Sequence, residues 1–409
     1  MIFIRLIYLI HDLINPLLRI HQAFIQGLLV LGIVFLSILL NPTGVMGKAF
    51  RVIPSLTVEE RFDDNIFSVA RVRERDSITV IKGLLRFNRE GVRLKSQVQY
   101  NVRFEIFSRH TELNKGRPFQ ELSAKGILKL GKGAQLELIE SLSFTPVQAE
   151  FLGTSHVGNI LGEGIRTRRE ESFRNVADIK FRQPLTMKII FLSGFKNAIS
   201  RYDNPALIDH SRNDVTVGID YEIASWSIPS LKYRYENISY DGIGNANINF
   251  VNLGYTHKIW RTGTVDLSLG IAFSEESDGK RLDPLFVGQL DINRSLRDWE
   301  WRVRYARKIG ISGGFLKALS MSNRVSLNMS RKVRRNLTAR LSGNYARNKS
   351  IGRVQIDVHS YEGRFGLEYL INPSLMMRLG YSYLRQESDD FVTSNIIRNQ
   401  TLISVMARY

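Results

Sequence analysis

The chain has 409 residues and no cysteine, so disulfide bonds and thiolate metal sites are excluded. Its mean hydropathy of −0.13 is too polar for a bundle of membrane-spanning helices, although a barrel with one apolar and one polar face averages to such a value. The formal net charge of +18 favours anionic partners, namely lipopolysaccharide, acidic polysaccharide, small anions or nucleic acid.

Residues 1–47 differ from the rest of the chain and predict a cleaved secretory signal peptide. Two arginines precede an unbroken apolar run at 28–40. Polar and turn-forming residues follow this run and end it. Val45 and Gly47 supply the small side chains that precede a cleavage site, which places the cut before Lys48. The alternative is a retained anchor, but the run is shorter than the roughly 20 residues that a spanning helix needs. Export argues against nucleic acid as a partner.

From residue 52 onward, apolar residues recur with a period of two, and no helical period is sustained over three turns. This pattern predicts an all-β fold at 48–409, an antiparallel up-and-down transmembrane β-barrel of about 18 strands (16–18). The predicted runs are 52–62, 77–88, 91–107, 119–131, 134–145, 171–183, 185–201, 210–224, 228–240, 245–259, 263–276, 283–296, 299–311, 318–332, 336–349, 354–371, 374–388 and 395–409.

The connections between these runs alternate between short and long. Short turns such as Gln183-Pro184 and 372–374 alternate with longer polar segments such as 63–76 and 108–118. Outer-membrane barrels sort their loops in this way, with short turns in the periplasm, so both termini are predicted to be periplasmic. The longest loop, 146–170, is a candidate plug or constriction of the lumen.

The period of two also assigns the faces of each predicted strand. In the run 210–224, Val215, Val217 and Ile219 would face lipid, whereas Asp214 would face the lumen. Charged residues fall mostly on the inward face throughout the chain, as expected when a lysine or arginine at the bilayer midplane costs roughly 2–4 kcal/mol.

Glu140 is an exception to this pattern. It falls in phase with Leu136, Leu138 and Leu142 on the apparent lipid face. We therefore expect that a β-bulge shifts the register at this point or that the strand is misassigned.

The last predicted strand, 395–409, resembles the closing strand and C-terminal assembly signal of bacterial outer-membrane barrels. Its apolar face carries Ile403 and Val405, and the chain stops at the aromatic Tyr409. These three residues are the predicted assembly signal, which implies the barrel-assembly machinery as a partner in addition to outer-membrane lipid and lipopolysaccharide. The alternative for this strand alone is the edge of an ordinary β-sandwich.

The predicted lumen is basic, because the inward positions carry more arginine and lysine than aspartate and glutamate. A barrel of about 18 strands is wide enough for an aqueous channel unless a loop fills it, and rings of basic side chains favour anions. The alternative is that these charges pair across strands and leave no net field. The predicted anion path consists of Arg93, Lys95, Arg103, Arg174, Lys180, Arg182, Lys232, Arg234, Arg302, Arg304, Arg324, Arg340, Arg364 and Arg378.

The sequence predicts no cofactor, no metal site and no enzymatic activity. Asp209 beside His210, and His110 in a loop, are the candidates for catalysis, but no serine nucleophile has a signature around it. The run 63–65, Asp-Asp-Asn, could bind calcium. Without the spacing of a calcium loop, it is expected to shape a turn instead.

The segment 54–67, PSLTVEERFDDNIF, follows directly after the predicted signal. It resembles the opening strand of the family named Putative beta-barrel porin 2, in which an early strand runs into a "DN-I" loop, here Asp64-Asn65-Ile66. The short turn at Asn372-Pro373-Ser374 also resembles the hairpin turns of that family. The resemblance implies an outer-membrane barrel. Some members are associated with exopolysaccharide systems, which implies a role in polysaccharide export.

The predicted function is that of an outer-membrane pore with a basic lumen, which passes anionic solutes or an acidic exopolysaccharide. A different class of function stays open, in which the lumen is occluded and the barrel anchors a larger envelope machine without conducting. Conductance discriminates between the two.

Overall fold

A computed structural model of the chain describes residues 51–68, 73–115, 118–145, 171–203, 208–241, 244–259, 262–276, 282–311, 319–351, 357–388 and 395–408. The predicted signal peptide at 1–47, the candidate plug at 146–170 and the terminal Tyr409 lie outside the described residues. Within the described ranges, no helix is long and apolar enough to cross a bilayer. The helical segments there are short 3₁₀ turns at Thr111–Lys115 and Gly131–Gly133.

Eighteen strands form one sheet, which confirms the predicted strand number, and each predicted run overlaps one strand. The strands are β1 Arg51–Asp63, β2 Asp76–Glu90, β3 Leu94–Phe107, β4 Phe119–Lys129, β5 Gln135–Thr145, β6 Ser172–Pro184, β7 Ile189–Tyr202, β8 His210–Tyr221, β9 Ser227–Tyr240, β10 Gly244–Ile259, β11 Gly263–Glu276, β12 Leu285–Ser295, β13 Trp299–Ile311, β14 Leu319–Arg334, β15 Leu337–Ser350, β16 Asp357–Asn372, β17 Leu375–Ser388 and β18 Ile396–Arg408.

Each strand pairs antiparallel with the next one along the chain, and the first strand also pairs with the last. The β1–β18 register runs from Ser55 opposite Arg408 to Asp63 opposite Gln400. The sheet therefore closes on itself and has no free edge. Closure is what a β-structure needs to cross a bilayer, because hydrocarbon offers no partner to an unpaired N–H or C=O group.

The connections are sorted by parity, as the sequence predicts. Those after even-numbered strands are short, whereas those after odd-numbered strands include the long segments 64–75, 108–118 and 146–171. With the short turns on the periplasmic side, both ends of the barrel domain are periplasmic. The short connections are 91–93, 130–134, 185–188, 222–226, 260–262, 296–298, 335–336 and 373–374.

The outer surface of the barrel is apolar. On β8, Val215, Val217 and Ile219 are 40% or more exposed, while the alternate residue Asp214 is 5% exposed. The last strand follows the same rule, since Ile403 and Val405 are 42% and 43% exposed and Ser404 between them is 5% exposed. An apolar band around a closed sheet with polar side chains inside is the arrangement of an outer-membrane β-barrel.

The structure corrects the expectation of a bulge at Glu140. This residue lies in unbroken register between Ala124 of β4 and Ala177 of β6. It faces outward, and the Asn175 side-chain amide donates a hydrogen bond of 2.9 Å to its carboxylate. The small alanines leave room for this pair, and the hydrogen bond supplies the partner that lipid cannot. The two register shifts among the described strand pairs lie elsewhere, at Lys332/Arg334 and Leu370/Asn372.

The run Asp63-Asp64-Asn65 accepts hydrogen bonds across the seam, where the first strand pairs with the last. We call this run the clasp. The Asp63 carboxylate accepts hydrogen bonds from Arg398 Nε at 3.0 Å and Gln400 Nε2 at 2.8 Å. The Asp64 carboxylate accepts both the backbone N–H and the side-chain amide of Asn399, each at 2.6 Å. The run thus shapes a turn, as expected, and it also joins residues from opposite ends of the barrel domain.

The clasp also directs the first loop to the interior. The Asn65 side-chain amide donates to the Ile397 carbonyl oxygen at 2.9 Å. Ile66 then packs into an apolar cluster with Ile78, Val80 and Phe107, all almost fully buried. Ile78 and Val80 belong to the inward face of β2, so this cluster lies inside the extracellular mouth.

Replacing Asp63 with alanine should destabilise the closed barrel. The substitution leaves the Arg398 guanidinium buried at the seam without its carboxylate, which costs about 3 kcal/mol in comparable buried pairs. Urea unfolding of the refolded barrel, followed by its heat-modifiable mobility in gels, measures the loss.

The matched control for this prediction is Glu387→Ala on β17, which removes an exposed ion pair with Arg385. Exposed pairs of this kind contribute about 1 kcal/mol or less. Equal unfolding midpoints for the two variants would contradict the proposed importance of the clasp.

Candidate anion path in the lumen

The structure places thirteen of the fourteen predicted path residues on the inward face of the wall. They occupy the positions that alternate with the lipid-facing side chains, and they come from eight strands. Lys95 and Arg103 lie on β3; Arg174, Lys180 and Arg182 on β6; Lys232 and Arg234 on β9; Arg302 and Arg304 on β13; and Arg324, Arg340, Arg364 and Arg378 on β14, β15, β16 and β17.

Arg93 differs from its predicted position. It lies in the exposed turn at 91–93, one residue before β3 begins at Leu94. The turn forms because the Gly91 N–H donates to the Leu94 carbonyl oxygen at 2.8 Å, which closes the chain before the strand starts. Arg93 therefore stands at the periplasmic rim rather than along the wall.

Acidic residues on the inward face serve as hubs that each bind two basic side chains. Asp291 of β12 accepts hydrogen bonds from Nε of Arg302 and Nε of Arg304, each at 2.8 Å. Glu368 of β16 is shared by Arg340 at 2.9 Å and Arg378 at 2.6 Å. Each hub holds two guanidiniums in place through one carboxylate. At Asp291 a second acid is close by, because Asp266 of β11 lies directly opposite Asp291 in the sheet.

The same arrangement recurs on two other parts of the wall. Glu59 of β1 lies 2.7 Å from both Arg61 and Lys82. Glu236 of β9 lies 2.9 Å from Arg212 and 3.5 Å from Arg234. Both of these hubs have a second acid, since Arg212 lies 3.2 Å from Asp214 and Arg61 lies 3.7 Å from Glu105.

Other basic residues form one-to-one pairs along the wall. Lys180 lies 3.1 Å from Asp178, Lys232 lies 3.8 Å from Asp220, and Arg364 pairs with Glu362. The first and third pairs lie within one strand, whereas the second joins β9 to β8. Pairing across strands therefore exists, as the alternative interpretation of the sequence requires.

The inward basic residues that the sequence analysis did not single out include Arg212 and Lys308. Arg212 lies on the same face of β8 as Asp214, and Lys308 lies on the same face of β13 as Arg302 and Arg304. Both fall inside predicted runs, so the period of two would have found them. They were overlooked because single inward charges carry no local signature.

A charged cluster at the extracellular mouth joins the first two long loops. His110 contacts Asp76 through Nδ1 at 2.9 Å and Glu74 through Nε2 at 2.6 Å. Both ring nitrogens face carboxylates, so both can donate only when the imidazole is protonated. The hydrogen bond to Asp76, reinforced by Glu74, raises the pKa of His110 above its usual value.

This cluster does not have the geometry of a catalytic site. The Ser108 hydroxyl donates to Asp76 at 2.7 Å rather than to His110, so no base activates it. Asp209 accepts from the Tyr202 N–H at 2.9 Å, and the neighbouring His210 contacts the Ile208 carbonyl oxygen at 3.3 Å. In the described part of the chain, no three histidine or carboxylate side chains are grouped so that they could hold a metal ion.

The raised pKa of His110 predicts a pH-dependent contribution to stability. Protonated His110 stabilises the folded mouth, so the contribution is complete below the unfolded pKa of about 6.5 and is lost as the pH rises through the folded pKa. An NMR titration of the refolded barrel should give His110 a pKa above 6.5, and His110→Gln should abolish the decline of thermal stability above that pH.

The control for the titration is His257→Gln, on the outer face beside Tyr255, which should leave the pH dependence in place. A His110 pKa at or below 6.5 would show that the two carboxylates do not hold the imidazolium.

The fold resembles several solved outer-membrane proteins at low sequence identity. The outer membrane protein OpdK from Pseudomonas aeruginosa shares 8% identity, with 88% of this chain and 99% of OpdK covered and a TM-score of 0.45. OccAB3 from Acinetobacter baumannii shares 13% identity over 88% and 99% of the two chains, with a TM-score of 0.46. OccK9 (OpdG) from Pseudomonas aeruginosa shares 12% identity over 88% and 98%, with a TM-score of 0.48.

Sequence comparison connects the chain with a family of barrels. A search of curated proteins gives no match. The model of the family described as Putative beta-barrel porin 2 matches residues 310–409, which comprise the strands from the end of β13 to β18. The resemblance seen at the opening strand is thus confirmed independently at the other end of the chain, and the protein is a porin-like β-barrel of the outer membrane.

Proposed function

We propose that this protein is an outer-membrane pore that passes anionic solutes along the basic inner wall. The observation that carries the proposal is the sharing of one acid, Glu368, by two arginines, Arg340 and Arg378. Such hubs keep guanidiniums at fixed points and leave positive charge for a passing anion. On this proposal the protein is a passive channel and needs neither a cofactor nor a catalytic residue.

The physical basis of transport is a series of weak binding sites. Guanidinium groups bind carboxylates and phosphates through two parallel hydrogen bonds, which gives each site geometric specificity. Conduction requires that each site bind an anion well enough to admit it and weakly enough to release it to the next. The hubs favour release of the anion, because the acid in each hub competes with the solute for the same guanidiniums.

We propose an acidic exopolysaccharide as one natural solute. The support for it is the resemblance to the porin family, some members of which are associated with exopolysaccharide systems, together with the positive wall. A polymer with one carboxylate in each repeat would contact several hubs at once. The weak binding energies of the single sites would then add along the polymer.

The double variant Arg302→Gln/Arg340→Gln should lower the anion preference of the pore. It removes one cation from each of two hubs, while Arg304 and Arg378 still neutralise Asp291 and Glu368, so folding should be preserved. The reversal potential in a planar bilayer under a potassium chloride gradient should show a chloride-to-potassium permeability ratio lowered by about twofold or more.

The control is Arg335→Gln, in the short turn between β14 and β15 and away from the inward face. The proposal would be abandoned if the wild-type pore preferred cations, or if the double variant and the control gave the same reversal potential.

One observation favours a second candidate function, an occluded barrel that anchors an envelope machine. Ile238, Ile248, Phe250 and Ala272 lie on the inward face near the extracellular end of β9 to β11, yet each is at most 1% exposed. Inward side chains that open water reached would be more exposed. On this second reading, folded protein would show negligible conductance in the same bilayer experiment and would retain a periplasmic partner during purification.

A further inference from the structure

The lipid-facing surface of the barrel carries an apolar groove across β14 to β17. Gly343 of β15 and Gly363 of β16 lie directly opposite each other at its floor, where neither supplies a side chain. Leu327 and Tyr383 flank the two glycines on the neighbouring strands. The groove has a volume of about 410 Å³. Among the described residues beyond the chain neighbours, a Cβ atom added at either glycine would meet nothing within 4 Å, so the floor is open.

Large side chains bound this groove at both ends. On the extracellular side, the rings of Tyr345 and Tyr361 pack against each other with their centroids 5.1 Å apart. On the periplasmic side, Leu341 and Phe365 lie opposite each other and are each 48% exposed. The two pairs are four residues apart, roughly 13 Å along a strand. The groove is therefore a slot in the apolar band that a hydrocarbon chain can enter from the lipid.

Four basic side chains lie on the extracellular side of the same face. They are Arg347, Lys349, His359 and Arg385, and we call them the outer basic patch. The register places Arg347 opposite His359, and Arg385 opposite Tyr361 of the groove. The side chains of Arg347 and Arg385 are 44% and 52% exposed. The patch therefore lies at the extracellular edge of the apolar band and is open to its surroundings.

Two acids hold part of the charge of the outer basic patch. Asp357 lies 2.6 Å from Arg347, and Glu387 pairs with Arg385. Lys349 is exposed and lies opposite Asp357 in the sheet. Three permanent cations thus share two carboxylates. The patch keeps one positive charge in excess and several N–H donors that can bind an anion.

The groove and the outer basic patch form one continuous surface. The Tyr345 hydroxyl, at the end of the groove, lies 3.1 Å from Nδ1 of His359 in the patch. On the flanking strands, the outward residues beside the patch are Asn323 of β14 and Ile397 of β18. Both are uncharged, so these strands add no acid that would compete for an anion.

We infer that this surface binds one molecule of the lipid A part of lipopolysaccharide. A lipid A phosphate can accept paired hydrogen bonds from a guanidinium of the patch, and one of its acyl chains can fill the groove. Gly343 and Arg347 are four residues apart, roughly 13 Å along the strand, so one lipid spans both features. Lipopolysaccharide fits better than a phospholipid, because it forms the extracellular leaflet that adjoins the patch. The site lies outside the lumen and is independent of the proposed pore.

The test is native mass spectrometry of the refolded barrel in detergent with added bisphosphorylated lipid A, and with its dephosphorylated form. Wild-type protein should retain one phosphorylated lipid and bind the dephosphorylated form more weakly. Lys349→Gln/Arg385→Gln should weaken binding of the phosphorylated lipid by about tenfold, the loss expected for a hydrogen bond between charged groups. The same variant should bind the dephosphorylated form as the wild type does.

The groove is tested separately by Gly343→Val, which fills its floor without a clash. Close packing, rather than the hydrophobic effect, holds an acyl chain against a lipid-facing wall, so both lipid forms should bind about fivefold more weakly. The matched control is Gly126→Val on β4, a lipid-facing glycine whose added Cβ would also meet nothing within 4 Å. It should leave binding unchanged.

The control for charge is Arg334→Gln/Arg335→Gln, at the periplasmic end of the same hairpin, which should bind lipid A as the wild type does. Heat-modifiable gel mobility reports whether each variant is folded. Wild-type affinity for lipid A in folded Lys349→Gln/Arg385→Gln, or equal affinities of the wild type for the two lipid forms, would overturn the site. A dimer of barrels that Gly343→Val abolishes would identify a second copy as the occupant and would overturn it as well.

Discussion

The structure depends on one constraint, which is that every backbone N–H and C=O group in the bilayer must find a partner within the sheet. Seventeen hairpin pairings can form between neighbours in sequence, but the last pairing joins strands at the two ends of the domain. The clasp at Asp63 and Asp64 lies at that pairing and adds side-chain hydrogen bonds to Arg398 and Asn399. It strengthens the one contact in the barrel that the chain cannot make locally.

Closure in turn determines where charge can be placed. Once the sheet is closed, alternate side chains face either lipid or a shared interior, and an arginine or lysine is tolerated mainly in the interior. The interior positions are close across strands, so acids and bases meet there without being neighbours in sequence. Asp291 meets Arg302 and Arg304 in this way, from the adjacent strand. The gathering of charged side chains on the inward face is thus a consequence of the barrel geometry.

The fold could be predicted from the sequence because its main signal is a period of two that each strand carries on its own. The strand number, the sorting of loops and the inward position of residues such as Arg302 all follow from that period. The exceptions are interactions between distant residues. Asn175 supports Glu140 from 35 positions away, and Arg398 reaches Asp63 across 335 positions. No local pattern encodes such pairs, so the sequence alone suggested a bulge at Glu140 where the register is in fact regular.

On the proposed function, the hubs also limit how tightly the wall can hold a solute. An arginine held by a carboxylate, such as Arg378 beside Glu368, has a defined position and little freedom, so it would orient an anion but attract it weakly. A free lysine would do the reverse, because its flexible stem lets the ammonium follow a solute without fixing the geometry. A wall of arginine hubs therefore suits passage better than retention, which is what a channel requires of each site along its path.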